Sequence, residues 1–243
     1  MKKIILPFLI SACAYTLPPG TTDVQTSGFV LRTYQKLSDD ARPVKFYLEG
    51  DGYAFNAAGD ATSDPTPRGD FMQSLALNDA SANVVYLARP CQYVRDPECR
   101  VCDWTDARFS EKAVNSAADA IKKIAGARPV ILIGFSGGAQ IAGLVAVMHP
   151  EIRVKKLITI SGNLDHPSWT REKNLAPLAG SLDLNNYRAG YKKIPQTHYV
   201  GTDDAVIPPR LTTEFAGAEN VVIIPGAGHG KGFESIYPLI WKE

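Results

Sequence analysis

Short apolar runs rich in Val and Ile recur along the chain, and stretches with helical spacing separate several of them. This alternation is typical of a mainly parallel sheet covered by helices on both faces. Residues 29–34 form a further strand candidate that would add an antiparallel edge. The strands predicted for the main sheet are 44–48, 84–87, 130–135, 157–160, 197–200 and 221–224.

Two helices follow from the same pattern. Residues 110–125 read as an amphipathic helix, with Ser110 as the N-cap and Gly126 at its end. Residues 139–148 are apolar almost all round, so this helix is predicted to be buried against the sheet. The residues that repeat at helical spacing in the first helix are Ala113, Ala117, Ile121 and Ile124.

The longest region without clear periodicity covers residues 162–195. Long irregular segments in compact domains are often functional, so this one is predicted to form a small cap over the site. Its Trp169 and Tyr187 either line a substrate pocket or serve as packing aromatics, and the pattern does not decide between the two.

Composition bounds the function. A chain of 243 residues with 45% hydrophobic and 21% charged content suits one globular domain, predicted to span residues 27–243. The formal net charge is +1, and no long run of one sign occurs. Nucleic acid is therefore not expected as a partner.

The first residues indicate export. Lys2 and Lys3 precede an apolar run up to Ile10, and Ser11-Ala12-Cys13 then resembles the lipobox of bacterial lipoproteins. That resemblance implies a signal peptide over residues 1–12 and a lipid anchor at Cys13. Because Ala14 follows the cysteine, it also implies the outer membrane, facing the periplasm. A buried N-terminal strand with an ordinary Cys is the alternative, and residues 13–26 read as a flexible tether.

Three further cysteines lie in one loop, at positions 91, 99 and 102. In an oxidising compartment two of them can pair, and the pair Cys91–Cys99 is favoured, which leaves Cys102 free. A zinc site at Cys99 and Cys102 would need further ligands that the spacing does not supply. No metal and no cofactor is predicted. The surrounding loop, residues 89–109, is either a wall of the substrate entrance or a stapled surface loop, and no catalytic role is assigned to it.

The segment Gly134-Phe135-Ser136-Gly137-Gly138 carries the strongest chemical signal. It fits the pattern G-x-S-x-G, and a buried strand precedes it while a buried helix follows it. A serine hydroxyl needs a sharp turn to expose its oxygen and a base to remove its proton. Ser136 is therefore the predicted nucleophile.

In these residues and in most of the chain from about Val44 onward, the sequence resembles the α/β-hydrolases. The resemblance implies a three-layer α/β-hydrolase fold with a mainly parallel central sheet. It also implies that the acid and the histidine follow the serine, each just beyond a later strand. Residues 199–208 look like the family's acid segment, and the spacing favours Asp204 over Asp203. Asp165, one strand earlier, is the other candidate acid.

Among the four histidines, only His229 stands where the family places its base, after the last predicted strand in the run 226–230. His149 is expected to lie at a helix end, and His198 lies within a predicted strand. His166 could face the site, but it lacks the family's placement.

An oxyanion hole requires backbone N–H groups directed at the developing charge. The resemblance implies Gly137 as one donor. The loop after the strand 44–48, Glu49-Gly50-Asp51-Gly52, resembles the family's His-Gly-x-Gly loop, with Glu49 where His is usual. The N–H of Asp51 is the predicted second donor and Gly52 is the alternative.

Together these features predict a serine hydrolase that uses Ser136, Asp204 and His229 and forms an acyl-enzyme. A small-molecule carboxylic ester is the expected substrate, with peptidase or amidase activity as the alternative. A non-catalytic binding lipoprotein that has kept the fold is the alternative from another class.

Overall fold

The structure, a computed structural model, describes residues 18–243. The predicted signal peptide and the anchor at Cys13 lie outside the described residues. One sheet of eight strands organises the described part of the chain. The strands are β1 Thr21–Gln25, β2 Val30–Leu37, β3 Val44–Leu48, β4 Asn83–Leu87, β5 Val130–Phe135, β6 Val154–Ile160, β7 Gln196–Gly201 and β8 Val221–Ile224.

The strand order in the sheet is β1-β2-β4-β3-β5-β6-β7-β8. The first two strands pair antiparallel, β2 also pairs antiparallel with β4, and all other neighbours are parallel. Parallel pairing brings the carboxyl ends of β3, β5, β7 and β8 to one edge of the sheet. Loops at such an edge are where open α/β sheets bind ligands.

Helices cover both faces of the sheet. On one face, α2 and α3 pack over Val44, Phe46 and Leu132, and on the other, α1 and α7 pack over Tyr47 and Ile133. Consecutive strand residues thus enter opposite cores, which explains why the central strands are continuous apolar runs. The helices are α1 Phe71–Leu77, α2 Glu111–Ala125, α3 Gly137–Met148, α4 His166–Glu172, α5 Arg188–Tyr191, α6 Pro209–Ala216 and α7 Tyr237–Trp241.

The predicted elements are present, with shifted ends at several of them. Three strands have the predicted bounds, and β6 begins three residues earlier, at Val154. The Ser110 hydroxyl caps α2 by accepting a hydrogen bond from the Ala113 N–H, as predicted, and Gly126 ends the helix with a φ of 59°. Helix α3 is buried through most of its length and begins at Gly137, two residues before the predicted start.

The prediction of a tether over residues 13–26 is wrong for residues 21–25. These residues form β1, which pairs along its whole length with β2. The prediction failed because the segment is polar and follows Pro18, Pro19 and Gly20. A strand at the edge of a sheet needs few apolar residues, and β-branched Thr suits it. The prolines and the glycine form the turn that precedes the strand.

Part of the region 162–195 packs into the core beside α3. It contains α4 and α5, and its residues Leu184 and Tyr191 pack in the core on α3. The Gln140 side chain on α3 donates a hydrogen bond to the Leu182 carbonyl. Within residues 18–243, no helix is both long enough and apolar enough to cross a membrane.

Candidate active site

Three side chains meet at the carboxyl edge of the sheet. Ser136 follows β5, Asp204 lies beyond β7 and His229 lies beyond β8. The His229 Nε2 is 3.1 Å from the Ser136 Oγ, and the His229 Nδ1 is 3.1 and 3.0 Å from the two carboxylate oxygens of Asp204. We call these three residues the Ser–His–Asp array.

The backbone of Ser136 is strained, with a φ of 49°. Such a conformation is rare for a residue with a side chain, and here it projects the hydroxyl from the turn between β5 and α3. The turn closes because its flanking residues lack a Cβ atom. A Cβ on Gly134 would lie 2.6 Å from the Ala139 Cα, and one on Gly138 would lie 2.5 Å from the Leu48 carbonyl oxygen.

Asp204 is fixed in its orientation. Its side chain is 1% exposed, and its Oδ1 accepts hydrogen bonds from the N–H groups of Val206 and Ile207, both at 2.9 Å. Burial alone would raise the pKa of this carboxyl, but the hydrogen bond and the charge of His229 hold it below its usual value. An ionised Asp204 can hold His229 with Nε2 free to accept a proton from Ser136.

The two other candidate acids have different contacts. Asp203 accepts a hydrogen bond from the Thr202 hydroxyl on the exposed side of the loop. Asp165 is the N-cap of α4 and accepts a hydrogen bond from the Ser168 N–H. Neither carboxylate is hydrogen-bonded to His229.

The other histidines lie apart from the array. His149 ends α3 and contacts Glu151 and Asn115. Burial lowers the pKa of His198 to about 4, so its ring is neutral between Thr159 and Gln196.

His166 is a further buried histidine, on α4. Its Nε2 bonds to the Leu182 carbonyl, and its ring packs against Phe109. These contacts hold the ring in the core within the region 162–195, and do not place it at the Ser136 hydroxyl.

The predicted oxyanion donors lie beside Ser136. Gly137 is the first residue of α3, where N–H groups have no carbonyl one turn earlier. The loop after β3 passes so close that a Cβ on Gly50 would lie 3.2 Å from the Ser136 Cβ. The next N–H is that of Asp51, which donates no hydrogen bond within the described residues. Gly52, the alternative donor, adopts a φ of 64°, and a Cβ there would lie 2.1 Å from the Pro65 carbonyl oxygen.

The Asp51 side chain is held by two arginines of the loop 89–109, to which the sequence assigns no catalytic role. Its Oδ1 accepts from the Arg89 Nη1 at 3.2 Å, and its Oδ2 accepts from the Arg108 Nη1 at 2.7 Å. Burial would raise the pKa of Asp51, but Arg108 and Arg89 hold it below its usual value. We call these three residues the arginine cluster.

Glu49, which stands where the related loop has His, is buried beneath the same loop. Its carboxylate accepts hydrogen bonds from the Gly50 N–H at 2.8 Å and from the Tyr86 hydroxyl at 2.9 Å. Burial raises the pKa of Glu49 to about 7, against the opposing effects of these bonds and of Arg89. Its ionisation therefore changes near neutral pH.

A cavity of about 520 Å³ opens onto Ser136 and His229. Trp169, from the region 162–195, lines it, and its Nε1 donates a hydrogen bond to the Val206 carbonyl beyond Asp204. Tyr187 instead packs against the core. The aromatic residues of the cavity wall are Tyr53, Phe55, Phe71, Phe135 and Trp169.

Cys91 and Cys99 form a disulfide, as predicted, with Cα atoms 5.8 Å apart, and Cys102 is free and exposed. The pairing removes Cys99 from any zinc site. In the described part of the chain, no group of three or more His, Cys, Asp or Glu side chains is placed to hold a metal ion.

Comparisons with known proteins agree on the class. A family model described as serine hydrolase (FSH1) matches residues 79–229, more than half of the chain. No curated protein sequence matches the chain. Eight solved structures that resemble it share 13 to 18% of its sequence, so they establish the fold alone, which is the α/β-hydrolase fold.

Three of these structures illustrate the likeness. Est1E from Butyrivibrio proteoclasticus is 15% identical, with a TM-score of 0.63, and the match covers 92% of this chain and 95% of that one. An α-β serine hydrolase homologue from Coxiella burnetii is 14% identical, with a TM-score of 0.56 and coverage of 94% and 97%. A serine hydrolase without a lid from Xanthomonas campestris is 14% identical, with a TM-score of 0.54 and coverage of 93% and 92%.

Proposed function

The chain belongs to the serine hydrolase (FSH1) family, and from that premise we propose that it hydrolyses carboxylic esters of small molecules through an acyl-enzyme on Ser136. The observation that carries the proposal is the continuous hydrogen-bonded path from the Ser136 Oγ through His229 to Asp204. Such a path is what a serine hydroxyl needs to become a nucleophile near neutral pH.

In the first half of the reaction, the His229 Nε2 removes the hydroxyl proton as the Ser136 Oγ attacks the ester carbonyl. The oxygen that becomes negative is held by the N–H groups of Gly137 and Asp51. His229 then gives the proton to the departing alcohol, and the acyl group remains on Ser136. In the second half, His229 takes a proton from a water molecule that attacks the acyl group, and Ser136 is regenerated.

The open cavity supports a small ester as the substrate. Aromatic side chains form much of its wall, and a volume of about 520 Å³ accommodates a small organic acyl or alcohol group. The similar fold of a serine hydrolase from Xanthomonas campestris that has no lid supports a site that works without one.

A fluorophosphonate probe and a panel of esters and amides test the proposal on the purified chain. We expect the probe to label Ser136, and we expect esters to be turned over faster than amides of the same acid. Full hydrolysis by Ser136→Ala of every substrate that the unaltered protein accepts would overturn the proposal. Neither labelling nor turnover of any panel member would favour a binding protein, and preference for amides would favour the amidase alternative.

We further propose that Cys13 is lipidated and anchors the domain to the outer membrane, facing the periplasm. The support is the order of residues at the start of the chain, Lys2-Lys3, the apolar run to Ile10 and Ser11-Ala12-Cys13-Ala14. The Cys91–Cys99 disulfide is in keeping with an oxidising compartment. Cys13→Ser should move the domain from the membrane fraction or block its maturation. Unchanged membrane fractionation of Cys13→Ser, together with no lipid on Cys13 of the unaltered protein in mass spectra, would contradict the anchor.

A further inference from the structure

Arg108 presents a guanidinium group to the cavity that leads to Ser136. The residue is 5% exposed and forms part of the cavity wall. Its Nη1 donates to Asp51 and its Nε donates to the Thr105 carbonyl, while its Nη2 has no hydrogen-bond partner within residues 18–243. A guanidinium carries five N–H donors, so those of Nη2 remain available to a ligand. The cavity is therefore the place where Arg108 can complete its hydrogen bonds.

The charges around Asp51 do not balance. Arg89 and Arg108 are both buried cations, and both bind the single carboxylate of Asp51. Arg89 also donates to the Arg108 carbonyl, which fixes the two residues relative to each other. Glu49 is the next carboxyl group, and at its pKa of about 7 it is only partly ionised near neutral pH. The wall thus carries surplus positive charge, which an anionic ligand would neutralise.

The surplus charge lies close to the reacting centre. A Cβ on Gly137, the residue after Ser136, would lie 2.0 Å from the Asp51 Oδ1. The other carboxylate oxygen of Asp51 binds Arg108. One carboxylate group therefore separates the Arg108 guanidinium from the residue that follows the nucleophile. A substrate group bound by Arg108 would be only a few bonds from the scissile carbonyl.

Two further observations favour a carboxylate as the bound group. The planar guanidinium fork matches the two oxygens of a carboxylate, and such charge-assisted bonds are among the stronger hydrogen bonds in proteins. The Phe55 ring lies against the guanidinium, with its centroid 5.3 Å from the Arg108 Cζ. The negative face of the ring attracts the cation and helps to hold the guanidinium in place at the cavity wall.

We propose that Arg108 binds a carboxylate carried by the substrate, so that the enzyme selects monoesters of short dicarboxylic acids over uncharged esters. This inference rests on the proposed ester hydrolysis. Arg108 is a specificity-determining residue here, and Arg89 positions it through Asp51 and the Arg108 carbonyl.

The test compares two esters of the same shape that differ in charge, monoethyl succinate and ethyl 4-methylpentanoate, in a pH-stat assay at pH 6.5. We expect the unaltered protein to prefer the charged ester by about tenfold or more in kcat/KM, as expected for one charge-assisted hydrogen bond. Arg108→Gln should abolish this preference, chiefly through KM, and should change the turnover of the uncharged ester far less. Arg95→Gln is the matched control, because Arg95 is an exposed cation of the same loop that contacts Asp64 and the Ser63 carbonyl.

A second pair of esters places the charge on the alcohol, 3-butanoyloxypropanoate and 3-methylbutyl butanoate. Preference for the charged member of the first pair alone supports the proposal. Preference for the charged member of the second pair alone would assign Arg108 to the alcohol half and overturn the dicarboxylate assignment. Equal loss of both members of a pair in Arg108→Gln would show a structural role and overturn the proposal.

Inhibition of the unaltered protein gives a measurement that does not depend on a variant that folds. Succinate should inhibit hydrolysis of the uncharged ester competitively, and succinamide, of the same shape without charge, should not. Equal inhibition by the two compounds, or by neither, would contradict the carboxylate site. If the unaltered protein hydrolyses none of the four esters, the proposed function fails. If it hydrolyses the charged and the uncharged esters with the same kcat/KM, only the specificity inference fails.

Discussion

The Ser–His–Asp array and the arginine cluster lie around one cavity, but different parts of the fold hold them in place. Ser136, Asp204 and His229 each follow a parallel strand of the sheet, directly or after a few residues. Arg89 and Arg108 instead stand near the two ends of the long segment between β4 and α2, and Asp51 joins them from the loop after β3. The strands determine the positions of the array, whereas ion pairs and a disulfide determine those of the cluster. We infer that the array supplies the chemistry and the cluster the choice of substrate.

The largest expected effect comes from the array. Ser136→Ala and His229→Ala should each lower ester turnover by several powers of ten, because nucleophile and base act as one unit. For the same reason the double variant should lose little more than either single one. Steady-state rates on ethyl 4-methylpentanoate, with thermal unfolding as the control for folding, check this. Additive losses in the double variant would show that the two residues act independently.

Asp204→Asn should have the next largest effect. It should lower turnover by about four powers of ten, because an amide can hold His229 in the wrong tautomer. Asp203→Asn and Asp165→Asn are the matched controls, since both carboxylates are candidate acids that make no contact with His229. Both should retain most of the activity in the same assay. A loss in Asp165→Asn larger than that in Asp204→Asn would assign the acid to the preceding strand.

Gly137→Ala tests whether the two regions are coupled. The added Cβ would lie 2.0 Å from the Asp51 Oδ1, so the carboxylate or the turn must move. Displacement of one oxyanion donor costs about a hundredfold in kcat. Because Asp51→Ala removes the clash, the double variant should be more active than the sum of the single losses predicts. Gly190→Ala is the control, because its Cβ would meet nothing closer than 3.9 Å.

Glu49→Gln should have the smallest effect on turnover. It should instead change how the free energy of unfolding depends on pH. Burial raises the Glu49 pKa from 4.5 to about 7, so between these values the folded protein holds a proton that the unfolded chain releases. The protonated Glu49 therefore contributes fully to the free energy of unfolding below pH 4.5, and this contribution is lost as the pH rises through about 7. It amounts to about 3 kcal/mol. Denaturant unfolding of the unaltered protein and of Glu49→Gln from pH 4.5 to 8 measures this effect. The free energy of unfolding should fall less steeply with pH in Glu49→Gln, and parallel curves would contradict the raised pKa of Glu49.

The sequence predicts the Ser–His–Asp array better than the arginine cluster, because the two are held by different parts of the fold. Strands in a covered parallel sheet are runs of apolar residues, so β5, β7 and β8 can be located, and with them Ser136, Asp204 and His229. The contact between Asp51 and Arg108 depends on the path of a long loop that has no periodicity. Charged residues in such a loop resemble surface residues until the fold brings them together. Edge strand β1 was missed for a related reason, since residues 21–25 lack the apolar run of a buried strand.

The segment from Arg89 to Arg108 leaves and re-enters the domain at nearly the same place, because the Arg89 guanidinium binds the Arg108 carbonyl. The Cys91–Cys99 bridge closes a smaller ring within it. A loop pinned at its base can acquire insertions or exchanges at its tip without disturbing the scaffold. For enzyme evolution, and for engineering, the exposed residues within the range 97–102 of the segment are therefore the place where exchanges are tolerated. Exchanging these exposed residues can alter the entrance to the site, while the strands that precede Ser136, Asp204 and His229 stay as they are.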